Sequence, residues 1–324
     1  MTGPTSTRSR RPSRRAALAG GLALPLSGLA PGLARAQSEP ETGTLITRQD
    51  DASHRLTTPV HINGKGPFRV VIDTGANRSV ISTELASSLG LPAGRPARVH
   101  GIAGPQEAPT VNIDELRIGV IKARLSQVPT LAAADMGTDG LLGLDVFKNK
   151  QVTFDFLRDV VRVERSQQQD TMLFSRRGAA STDVTVRAVQ RFGQLTIVDA
   201  DAAKVRIACF IDSGAQRSVG NMAMRRAVQA RTADRNLTPF AVNIIGATGQ
   251  AVRGEVAEVP TMRVGGVNFT SFPLAFADLH TFSLWGLQDK PALMIGMDLM
   301  GIFDVVSMDF GARVVRFRLS GLMA

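Results

Sequence analysis

Two acids carry the chemistry this chain suggests, each closing an apolar run: Val70-Val71-Ile72-Asp73-Thr74-Gly75-Ala76 and Cys209-Phe210-Ile211-Asp212-Ser213-Gly214-Ala215. Such a run drives a strand into the core, and a carboxylate at its end is costly unless something requires it there. Two acids so placed point to one shared site. Paired carboxyl groups are the material of general acid and base catalysis.

The elements around them repeat as well. Asn77-Arg78-Ser79-Val80 is answered by Gln216-Arg217-Ser218-Val219, and Gly140-Leu141-Leu142-Gly143-Leu144-Asp145 by Leu293-Met294-Ile295-Gly296-Met297-Asp298. Val152-Thr153-Phe154-Asp155-Phe156 then returns as Val306-Ser307-Met308-Asp309-Phe310. Order and residue type are kept throughout, which marks an internal duplication into two lobes of about 110 to 140 residues.

The doubled Asp-Thr/Ser-Gly-Ala, each copy followed downstream by two apolar residues and Gly, resembles the retropepsin-like aspartic peptidases, here as two tandem copies in one chain. The resemblance implies a mainly β, bilobal acid-protease fold, made of two pseudo-symmetric β-barrel lobes with short helices. It also implies a dyad of Asp73 and Asp212 that shares one proton and titrates as a unit. One carboxylate takes a proton from the attacking water while its partner hydrogen-bonds the scissile carbonyl, so neither a cofactor nor a metal is needed. In this reading Thr74 and Ser213 tie the two loops together, and Gly75 and Gly214 allow close approach to the acids. Ala76, Asn77, Arg78, Ala215, Gln216 and Arg217 would line the substrate cleft. Two glycine-bearing hairpins, with Gly101, Ile102 and Gly104 in one and Gly246 and Gly249 in the other, read either as plain surface hairpins or, as the resemblance implies, as flaps that close over substrate. The partner expected is a peptide or protein substrate, met by a monomer that contains its own pseudo-dimer.

Other readings stand beside this one. A lone Asp-Thr-Gly is commonly an Asx-type turn. Asp145 and Asp298 precede short helical patterns, at 146–149 and 299–303, and read as N-caps; Asp155 and Asp309 alternate with apolar neighbours and read as solvent-facing. A non-catalytic periplasmic module could keep the fold and merely hold a peptide, and a structural envelope protein could use the acids only to fix turns.

Composition narrows the field. The formal net charge is +10, but Arg8, Arg10, Arg11, Arg14, Arg15 and Arg35 all fall in the first 36 residues, which hold no acid. The remainder carries no basic cluster with interleaved aromatics, there is no Tyr, and nucleic-acid binding is unsupported. Four scattered His and one Cys give no metal-ligand spacing, and Cys209 reads as a buried small hydrophobe. Residues 1–36 read as an export signal: an Arg-rich start, a modestly apolar stretch broken by Pro25, and Ala34-Arg35-Ala36 before a cleavage point at Gln37. Ser13-Arg14-Arg15-Ala16-Ala17-Leu18 is similar to the twin-arginine motif, with Ala17 where that motif usually has Phe. The expected location is therefore periplasmic or secreted, without stable membrane insertion after cleavage.

The expected organisation is a segment at 37–54, a first lobe at 55–165, a polar linker at 166–183 and a second lobe at 184–324. A hairpin of 55–62 and 68–72 turns at Asn63-Gly64-Lys65-Gly66. Its counterpart joins 194–198 to 205–211 around Asp199-Ala200-Asp201. Helices are expected at 83–89 and 222–230, the second capped by Asn221.

Overall fold

The computed structural model describes residues 44–47, 49–50, 55–166, 181–191, 194–197, 200–232, 239–264 and 267–320. The expected export signal, most of the expected linker and Asp199 lie outside these residues. Among the described residues no helix is long and apolar enough to cross a membrane.

The chain is mainly β and the two lobes repeat one strand order. In the first lobe the order is Leu56–Ile62, Lys65–Ile72, Gly140–Leu142, Val80–Ser82, Ile121–Leu131 and Thr110–Ile118, closed into a six-stranded barrel by pairing of the last strand with the first. The second lobe repeats it with Gln194–Ile197, Ala208–Ile211, Ala292–Ile295, Val219–Gly220, Val267–Phe276 and Ala251–Val264.

Turn chemistry explains the first hairpin. Asn63 and Gly64 adopt φ of 49° and 77°, as a two-residue turn between right-twisted strands requires. Lys65 and Gly66, expected in the turn, already belong to the returning strand. The counterpart is corrected further. Ala200–Ala202 is a strand held against Met262–Val264, and the chain turns at Ala203-Lys204, both at positive φ. The helices Thr83–Leu89 and Met222–Arg231 form as expected, with Ser82 and Asn221 accepting from the N–H of Leu85 and Met224.

One antiparallel sheet joins the lobes: Thr44–Thr47, Val160–Arg165, Lys150–Asp155, Val305–Asp309, Val314–Ser320 and Ser181–Arg191. At its centre Lys150–Asp155 pairs with Val305–Asp309, and the hydroxyls of Thr153 and Ser307 meet at 2.9 Å. This sheet overturns the expectation that Asp155 and Asp309 face solvent, for they are 3% and 0% exposed. The strands lie inside the sheet, and each acid organises the turn that follows. Asp155 accepts from the N–H and guanidinium of Arg158, and Asp309 from the N–H of Gly311 and Ala312 and the hydroxyl of Ser166.

Candidate active site

In each lobe a parallel strand pair brings an acid to the mouth of the barrel. Ile72 sits opposite Leu142 and Ile211 opposite Ile295, and the N–H of Asp73 and of Asp212 donates to those same partners' carbonyls, each at 2.9 Å. The acids thus leave their strands at equivalent points, and the loops they begin face each other.

The loops interlock. Thr74 N–H donates to Ser213 Oγ at 3.1 Å and Ser213 N–H to Thr74 Oγ1 at 3.0 Å. Each hydroxyl then donates onward across the boundary, Thr74 to the carbonyl of Ile211 at 3.1 Å and Ser213 to that of Ile72 at 2.7 Å. Both side chains are fully buried. The glycines cross as well. A Cβ built on Gly75 would fall into the carboxyl of Asp212, and one on Gly214 into that of Asp73. Only glycine leaves room for two acids at this distance.

The two carboxyls lie at the lobe boundary, each against the other lobe's glycine. Asp73 accepts from the N–H of Gly75 and Ala76, both at 2.9 Å, and Asp212 from that of Gly214 at 2.9 Å. Burial raises Asp73 above the ordinary carboxylate range, opposed by those two N–H groups, by its bond to Asp212 and by the charge of Arg55. Burial, joined by the charge of Asp73, holds Asp212 well above that range. Because the folded state holds its protons more tightly than the unfolded chain, the pair contributes less stability as pH rises from about 4. Asp212→Asn is therefore expected to be more stable than wild type at pH 7, with the gap closing towards pH 3.5, as read by denaturant titrations at both values.

Asp145 and Asp298 are not the N-caps that local pattern suggested. The caps are Gly143 and Gly296, and the acids sit inside the first turn of the helices Leu144–Phe147 and Met297–Met300. There Asp145 accepts from the N–H and hydroxyl of Ser79, and Asp298 from those of Ser218, pinning the far end of each acid-bearing loop. Gly143 and Gly296 pass so near the carbonyls of Arg78 and Arg217 that a Cβ would collide with them.

Of the other expected cleft residues, Ala76 and Ala215 are half-buried, and Asn77, Arg78, Gln216 and Arg217 are exposed. Arg78 donates to the carbonyls of Ser126 and Gln127, each at 2.9 Å. The hairpins Ala97–His100/Pro105–Ala108 and Phe240–Ile245/Ala251–Val264 meet tip to tip. Gly101 backs onto Thr248, Gly246 onto Ile102, and Gly249 lies against Asp135 of the first lobe; Gly104 turns at φ 149° with open space around it. The tips are exchanged between lobes. Ile102 packs against the second lobe's apolar cluster that holds Phe210, Phe282 and Trp285, while Ala247 packs against the first lobe's cluster that holds Val71, Leu131 and Leu141. The N–H of His280 donates to the carbonyl of Ile102 at 2.7 Å, and His280 Nε2 meets His100 Nδ1 at 3.0 Å.

Sequence reading missed Arg55, Gln194, the two histidines and Trp285. For the first two a signal existed. Counting back along the hairpin from each acid reaches a polar residue at the same place in both lobes.

An aspartyl protease family model matches residues 58–146 and 196–299, one match on each lobe. The chain belongs to the aspartyl protease family. No curated protein matches it.

Proposed function

We propose that this protein is an aspartic endopeptidase that cuts extended peptide segments with a water activated between Asp73 and Asp212. The observation that carries this is the crossed pair of carboxyls, each against the other lobe's glycine, with burial favouring a proton held between them. Asp, hydroxyl residue and Gly are intact in both copies, as catalysis needs and mere peptide binding does not. The charged carboxylate takes a proton from the water as it attacks the scissile carbonyl carbon. The protonated partner hydrogen-bonds the carbonyl oxygen, and a proton passes to the leaving nitrogen as the C–N bond breaks. Closed hairpins exclude bulk water during these steps.

A peptide ligand also suits the polar groups near the hairpins. Thr248 Oγ1, Gln250 Oε1 and Trp285 Nε1 are buried without a hydrogen-bond partner among the described residues, and an extended backbone offers both donors and acceptors. The Arg-rich leader extends the proposal to action in the periplasm or outside the cell.

The test is incubation of the protein with a diverse peptide pool from pH 3 to 8, products being read by mass spectrometry. Internal cleavage at apolar-flanked bonds is expected, together with a rise in melting temperature on adding a statine-type inhibitor whose hydroxyl imitates the attacked carbonyl. The absence of both cleavage and inhibitor stabilisation at every pH would refute the peptidase.

A further inference from the structure

The two halves of the site differ where symmetry would make them alike. Thr57 pairs with Val71 and Thr196 with Phe210; carried two residues further, that register runs Arg55, just before its strand, towards Asp73, and Gln194 towards Asp212. The first lobe has a cation at this place and the second a neutral amide. Their engagements differ too. Gln194, 1% exposed, crosses the lobe boundary to donate to the carbonyl of Gly75 at 2.9 Å and to Asn77 Oδ1 at 3.3 Å. Arg55 donates to the carbonyl of Met136 in its own lobe.

We propose that Arg55 polarises the dyad, holding Asp73 as the charged base and leaving the shared proton on Asp212. A guanidinium beside a carboxylate favours its ionised form, and two carboxyls sharing one proton give that proton to the acid with the weaker support for charge. Asp73 accepts at one oxygen from two N–H groups within 2.9 Å and lies in the field of Arg55. Asp212 too is supported by two backbone N–H groups, of Gly214 and Ala215, but there the charge of Asp73 works the other way. The remaining charged groups around the loops do not restore symmetry. Asp145 and Asp298 are bound by Ser79 and Ser218, Arg78 by backbone carbonyls, Asp135 lies against Gly249, and Arg217 is exposed. The assignment has a chemical consequence: the carbonyl oxygen of a substrate faces Asp212, so a peptide is cut in one orientation across the lobes.

This inference rests on the peptidase reading, and its test separates the two. The pH dependence of kcat/KM is measured for wild type, Arg55→Gln and Arg55→Lys. Removing the charge moves the acid limb up by about one pH unit and lowers kcat about tenfold, while Lys keeps the limb within a few tenths of wild type. A merely structural role would lower activity without moving the limb. An unmoved limb in a folded, active Arg55→Gln overturns the proposal and leaves the peptidase standing. Titration of the aspartate carboxyl carbons by NMR, in wild type and Arg55→Gln, reads the same effect without turnover. There the lower step of the pair rises by about a unit, and equal curves overturn the proposal even in a protein that cuts nothing. Should Arg55→Gln fail to fold, Arg55→Met, which keeps the apolar stem and drops the charge, replaces it in both measurements.

Discussion

Asp73→Asn and Asp212→Asn are each expected to abolish peptide cleavage, lowering kcat by at least about a thousandfold, while circular dichroism stays that of the wild type. General acid and base steps are worth roughly 10²–10⁴ apiece, and in this site one proton serves both roles, so losing either acid removes both. The double variant is for the same reason hardly worse than either single, because groups that act as a unit give non-additive losses. Asn fits the space of each Asp and can still accept from the loop N–H groups, so the folded loops survive. Residual turnover near wild-type level in either single variant would remove the dyad from the mechanism.

The second large effect is expected where the lobes clasp each other. Thr74→Val keeps the shape of the side chain but leaves the N–H of Ser213 and the carbonyl of Ile211 without partners in a fully buried place. Orphaning a buried polar group costs about 1–3 kcal/mol, so unfolding free energy falls by about 2–4 kcal/mol, measured by urea titration. Activity falls further than stability, since the same bonds set the distance between the acids. Thr74→Ser is the control: Ser213 already fills the equivalent place, so a serine hydroxyl there keeps both bonds and costs under about 1 kcal/mol. Equal losses for Val and Ser would show that packing rather than the hydroxyl holds the loops.

Much of this was legible in the sequence because the decisive signals are local and doubled. Asn63-Gly64 specifies its turn through backbone conformation alone, and Asn221 caps its helix through one side chain three residues away. The misreadings arose where distant chain decides. Asp155 and Asp309 alternate like surface residues, yet the strand across from each belongs to the other lobe, and alternation says nothing about what covers a face. Asp145 and Asp298 looked like caps because their partners, Ser79 and Ser218, are far away in sequence. Ala200–Ala202 lacks strand character of its own and is made a strand by Met262–Val264. The exchange of hairpin tips between lobes, and the meeting of His100 with His280, depend on docking that no local pattern records.

The two acids stand on one chain, and the sheet centred on Thr153 and Ser307 is built from both lobes. A site assembled from separate identical subunits comes apart on dilution, whereas here the second acid is delivered at a fixed effective concentration. The deeper consequence is hereditary. When one gene supplies both halves of a symmetric pair, every substitution arrives twice, and neither half can acquire a trait the other lacks. With the halves encoded in series each is a separate target for mutation, and a difference such as Arg55 against Gln194 becomes heritable.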